Sequence, residues 1–111
     1  MTPSSTRPVL HLICQAHLDP VWVWPRRDGY SEALTTMGSA VRFLEEEPDL
    51  KFTRSSAAVY RWVRESDPRL YDRIRQFVAE GRWEIVNGWE VQPDANLPLG
   101  ESFIRQSLYG K

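Results

Sequence analysis

Val9-Leu10-His11-Leu12-Ile13-Cys14 stands one residue ahead of Ala16-His17-Leu18-Asp19-Pro20-Val21-Trp22. The first stretch is a short apolar run and reads as a buried β-strand over residues 8–14. In the second, the ring of Pro20 pushes Asp19 out of the α region toward extended backbone. Residues two apart on an extended chain point to the same side. The His17 imidazole and the Asp19 carboxylate therefore converge just past a strand end, beside the Trp22 indole. No other segment brings a candidate metal pair so close together. The same residues also fit a plain turn, with His17 bonded to a backbone carbonyl and Asp19 closing an Asp-Pro corner.

Working outward, a loop over residues 15–30 holds Pro20, Pro25 and Gly29. Ser31 can cap a helix running to about Glu47, with Ala33, Leu34, Met37, Val41 and Leu44 at three- and four-residue steps. Pro48 stops it. Leu50 to Thr53 reads as a second strand, and Ser55-Ser56 opens a helical piece with Val59, Tyr60, Trp62 and Val63. Asp67-Pro68 pairs a cap with a favoured first helical residue. The helix that follows carries Leu70, Tyr71, Ile74, Phe77 and Val78, and Gly81 serves as its C-terminal cap. Trp83 to Val86 is a third strand, residues 87–100 a loop, and a last helix begins near Glu101. Strand and helix alternate, the pattern of an α/β protein with a parallel sheet. Active sites in such folds gather in the loops after the strands, so the His17/Asp19 loop and the Asn87–Glu101 loop are expected on one face.

The composition, 41% hydrophobic and 26% charged over 111 residues, is that of one globular domain. Fourteen Lys and Arg against 15 Asp and Glu leave a formal charge of −1, which gives no electrostatic case for nucleic acid or an anionic membrane. Cys14 is the single cysteine, so neither an intrachain disulfide nor a Cys-based zinc cluster can form. Within its apolar run it reads as a buried, inert thiol, and His11 as a satisfied core histidine. Residues 1–7 are polar and read as a disordered tail. No segment approaches the ~20 apolar residues that span a bilayer, and a cytoplasmic setting is the simplest expectation.

Five tryptophans supply core mass and also sugar-stacking faces. Trp22 and Trp24 are open to either role. Glu90, Asp94 and Glu101 are candidate carboxylates for acid/base work in the third loop. Asp94-Ala95-Asn96 equally fits an Asx turn, and Glu101 a helix first turn that favours a negative charge. There is no Gly-rich phosphate loop, Gly-x-Ser-x-Gly elbow or Cys/His nucleophile pair.

Four stretches in order complete a recognisable signature. They are Ala16–Trp24; Glu32-Ala33-Leu34-Thr35-Thr36 with Ser39–Leu44; Phe52–Ala57 with Tyr60-Arg61-Trp62; and Gly81-Arg82-Trp83-Glu84 with Pro93–Pro98 and Gly100-Glu101-Ser102. Together they resemble the N-terminal part of the catalytic domain of glycoside hydrolase family 38, the retaining α-mannosidases, over residues 8–111. Asn87-Gly88-Trp89-Glu90 stands where many relatives carry a Gly-Gly pair.

The resemblance implies a (β/α)7-type barrel, of which this chain holds the first three βα units, truncated. It implies an active-site zinc held by His17 and Asp19; the His and Asp donors by themselves do not separate zinc from cobalt or manganese. A further aspartate, also the nucleophile, and a further histidine complete the site from beyond Lys111, as does the acid/base carboxylate. It places Trp22 at a mannose subsite and no catalytic residue in this chain. The implied partner is a mannose-containing oligosaccharide, with no nucleic acid and no membrane, and with a homo-oligomer of the full-length enzyme allowed. The fragment alone is expected to be inactive. Two alternatives are a non-catalytic fragment that binds metal or carbohydrate, and another metal-dependent carbohydrate hydrolase such as a polysaccharide deacetylase.

Overall fold

The structure, a computed structural model, describes residues 7–111. The tail expected at residues 1–7 therefore lies, apart from Arg7, outside the described residues. Among the described residues seven elements follow one another: β1 (Cys14–Gln15), α1 (Arg26–Glu46), β2 (Phe52–Arg54), α2 (Ala57–Ser66), α3 (Pro68–Ala79), β3 (Trp83–Ile85) and α4 (Gly100–Gly110). The strands form a parallel sheet in the order β1-β2-β3. Cys14 pairs with Phe52, and Phe52 with Trp83. The fold is α/β with three consecutive strand–helix units, as the alternation of patterns predicts.

The core lies between the sheet and the helices α1 to α3. Phe52 and Trp83 sit side by side on the helix-facing side with ring centroids 4.6 Å apart, and both are buried. Against them pack Ala33, Met37, Val41 and Leu44 of α1, Val59, Trp62 and Val63 of α2, and Ile74 and Phe77 of α3. These are the positions that the three- and four-residue spacing assigns to buried faces. Full burial of a side chain such as Leu44 contributes about 1.5–3 kcal/mol. The α3 start is also as expected: Asp67 Oδ1 accepts from the Leu70 backbone N–H at 3.0 Å, and Pro68 is the first helical residue.

Four expectations give way, the last three of them together. Helix α1 begins at Arg26, not Ser31, directly after Pro25, so Gly29 lies inside the helix rather than in the loop. The first strand is two residues long, and residues 7–13 have no ladder partner among the described residues. His11 is exposed rather than packed in a core. Cys14 is exposed as well, not a buried thiol. The cause is shared: nothing among the described residues covers this segment. Cys14 opens onto a groove of about 500 Å³ that it lines with Ala40, Phe43 and Phe52.

Because the strands are parallel and in register, their C-terminal ends lie together. The chain leaves that edge at Ala16, at Ser55 and at Val86, so the His17/Asp19 loop and the third loop emerge on the same side of the sheet.

Candidate metal centre

The chain leaves β1 at Gln15 and reaches His17 and Asp19 before it turns at Pro20. His17 Nε2 lies 3.1 Å from Asp19 Oδ1. The alternation of an extended segment, enforced by the Asp-Pro step, delivers both groups to one side. The two side chains are 47% and 41% exposed, so solvent and further ligands can approach them. As it stands the contact is a hydrogen bond. The donor set also fits a divalent cation, since two atoms bound at ~2.0–2.1 Å to one tetrahedral zinc are about 3.3–3.4 Å apart. Among the described residues no third His, Cys, Asp or Glu joins the pair.

Around this pair the loop is held by main-chain contacts. The Trp24 indole Nε1–H donates to the Asp19 carbonyl at 3.1 Å. The Pro20 carbonyl lies against Gly29 in α1, where a Cβ would come within 2.1 Å of the carbonyl oxygen. Trp22 and Trp24 meet edge to face, with centroids 5.7 Å apart and planes at 84°. Trp22 is 69% exposed, while Trp24 is half-buried. The two tryptophans thus occupy different environments, which their spacing alone left open. Gly29 escaped the sequence reading because a glycine next to Pro25 and Asp28 looks like part of a loop. Its company of helix-compatible residues on both sides was the available signal.

In the third loop each candidate carboxylate has a local partner. Asp94 Oδ1 accepts from the Asn96 backbone N–H at 2.8 Å, which is the Asx turn. Glu101 is in the first turn of α4 and pairs with Arg105 at 2.9 Å. Glu90 bonds to Arg61 of α2 through Oε1, while its Oε2 is buried without a partner among the described residues. The larger cavities lie elsewhere. One of about 520 Å³ sits between α2, α3 and residues 85–89. The groove beside Cys14 runs along α1 on the opposite flank. Neither includes His17 or Asp19, and the convergent donor groups, not cavity size, mark the site.

The family profile for the glycosyl hydrolases family 38 N-terminal domain matches residues 7–111. Over 95 residues, 86% of this chain, the sequence is 38% identical to alpha-mannosidase G of Dictyostelium discoideum. It is 33% identical to human alpha-mannosidase 2C1 over 102 residues, 92% of the chain, and 27% identical to the Saccharomyces cerevisiae alpha-mannosidase over 100 residues. These matches cover 9%, 10% and 9% of the respective relatives, so the chain spans about a tenth of their length. The order of motifs along the sequence, the three parallel strand–helix units and the extent of these matches agree: the chain belongs to glycosyl hydrolase family 38, in its N-terminal domain.

Proposed function

We propose that this chain is the N-terminal portion of a zinc-dependent, retaining α-mannosidase that removes terminal α-linked mannose from oligosaccharides. The observation that carries the reading is the 3.1 Å approach of His17 Nε2 and Asp19 Oδ1 at the C-terminal edge of a parallel sheet, next to an exposed indole. The names of the relatives, all alpha-mannosidases, support the choice of sugar. In this reading His17 and Asp19 hold the cation and Trp22 offers its exposed face to the pyranose ring. A zinc ion seated there would grip sugar hydroxyls and stabilise charge as the ring distorts toward an oxocarbenium-like transition state. The three strand–helix units are then the opening units of a (β/α)7 barrel. No carboxylate of this chain is assigned as nucleophile or acid/base, in keeping with the local partners of Asp94 and Glu101. A cytoplasmic setting belongs to the same reading.

The test is His17→Ala in the enzyme that contains this chain, assayed on an aryl α-mannoside with metal content measured in parallel. Loss of bound divalent metal and a fall in kcat/KM of at least a hundredfold are expected. Unchanged turnover, or an active enzyme without divalent metal, would overturn the assignment. A second reading, a fragment that binds metal or carbohydrate without turnover, rests on the two-donor count among the described residues.

A further inference from the structure

We infer that Trp24 is a positioning residue rather than a sugar-facing wall, and that with Gly29 it clamps the Asp19-Pro20 main chain so that Asp19 is held in register with His17 for a shared cation. This rests on the reading of His17 and Asp19 as cation ligands.

Three observations converge on it. The Trp24 indole N–H reaches back five residues to the Asp19 carbonyl at 3.1 Å, closing the loop on itself. The next carbonyl, that of Pro20, is seated on α1 at Gly29. A Cβ there would lie 2.1 Å from the oxygen, 2.9 Å from the carbonyl carbon and 3.3 Å from Trp24 Nε1. The first two of those atoms are backbone and cannot swing aside. Two consecutive peptide groups are therefore fixed, one by a side chain and one by a helix, on either side of Pro20. Finally, Trp24 is half-buried and meets the exposed Trp22 edge-on, so the clamp also orients the outer ring. An exposed loop without these fastenings would sample many Asp19 orientations, and the order needed to hold a cation would have to be imposed on binding. Groups that orient metal ligands in this way typically change metal affinity 10–100-fold when removed.

The experiment uses the enzyme that contains this chain, with its tryptophans and histidines isotope-labelled for NMR, as native, His17→Ala, Trp24→Phe and Gly29→Ala forms. Without metal, the Trp24 indole N–H is expected to exchange with solvent at least tenfold more slowly than that of Trp22. Equal exchange rates would overturn the clamp. Co2+ is then titrated and followed by paramagnetic shifts of the His17 ring protons. The native chain is expected to respond at His17, and His17→Ala to lose the response. Trp24→Phe is expected to bind Co2+ about tenfold more weakly at an unchanged urea midpoint. An unchanged Co2+ affinity in Trp24→Phe would overturn the positioning role. No Co2+ response at His17 in a native chain whose Trp24 N–H is protected would instead overturn the ligand reading on which the role depends. Gly29→Ala is expected to release the Trp24 N–H to fast exchange. Should it fail to fold, Trp24→Phe carries the test alone.

Discussion

At the scale of a single residue, Tyr60 shows how a buried hydroxyl sets a pH limit on the fold. It donates to the Arg54 carbonyl at 3.0 Å and accepts from Trp83 Nε1 at 2.9 Å. Burial pushes its pKa from 10.0 up to about 12, against the smaller opposing effects of the Trp83 hydrogen bond and the Arg54 charge. The sign follows from which state holds the proton more tightly. Here the folded chain does, so between pH 10 and 12 the unfolded chain ionises first and stability falls as pH rises. The loss reaches about 3 kcal/mol once both states are ionised. Tyr60→Phe leaves the Trp83 N–H unpaired and is expected to cost about 1–3 kcal/mol at pH 8. That deficit should shrink as pH approaches 12, because the variant has no phenol to ionise. Urea midpoints of both proteins from pH 8 to 11.5 read this directly, and parallel curves would contradict it. Arg54 itself is 2% exposed, with Nε and Nη2 lacking partners among the described residues, and desolvation lowers its pKa. Nothing in Phe52-Thr53-Arg54 announces this, since arginine is ordinarily a surface residue.

At the scale of elements, the two helix starts in the middle of the chain separate what local sequence specifies from what it cannot. Asp67-Pro68 is a self-contained cap, legible without any other part of the molecule. Ser55-Ser56 marks the right place for α2 for a different reason. Ser56 stands at φ +72° and its hydroxyl caps nothing. The Ala57 and Ala58 N–H groups instead donate to the Trp89 and Glu90 carbonyls, at 2.9 and 3.0 Å. Those acceptors come from about thirty residues away, so no pattern around Ser56 could reveal them. The same logic explains the glycine inside α1: Gly29 is required by the Pro20 carbonyl, nine residues earlier, and not by the pattern around it. The substitutions Asp67→Ala and Ser56→Gly should therefore move stability in opposite directions. The first removes a capping bond and costs about 1 kcal/mol. The second relieves a left-handed backbone, roughly 1–3 kcal/mol, less about 0.4–1 kcal/mol of unfolded-chain entropy. Paired urea denaturation curves decide, and a loss on Ser56→Gly would mean the serine side chain has a partner after all.

At the scale of the whole molecule, the alternation of elements, the parallel sheet and the helix faces were legible because they rest on local periodicity. The His17–Asp19 approach was legible because the Asp-Pro step constrains it. The exposure of residues 9–13, expected as part of the first strand, was not, because burial is a property of what covers a segment. Leu10 and Leu12 are each 82% exposed, and Val9 and Ile13 on the alternate side are exposed too. A segment apolar on both faces suits a strand in a sheet covered on both sides, and among the described residues this segment finds neither cover nor a ladder partner. On the other flank Ile85, Leu97, Leu99 and Leu108 are likewise exposed. The radius of gyration is 17.2 Å, against about 13 Å for a compact domain of this length. Surfaces of this kind dock against something or associate. The isolated 111-residue chain is therefore expected to bind a hydrophobic dye such as ANS and to sediment as larger species as its concentration rises. Two cation donors are also fewer than the three protein ligands usual in catalytic zinc sites. With zinc added, the same chain is expected to give no turnover of an aryl α-mannoside. A monomeric, dye-silent chain would mean that residues 9–13 find cover within the chain itself. Zinc-dependent turnover would mean that two donors and solvent suffice, and would move the catalytic carboxylates back into the residues described here.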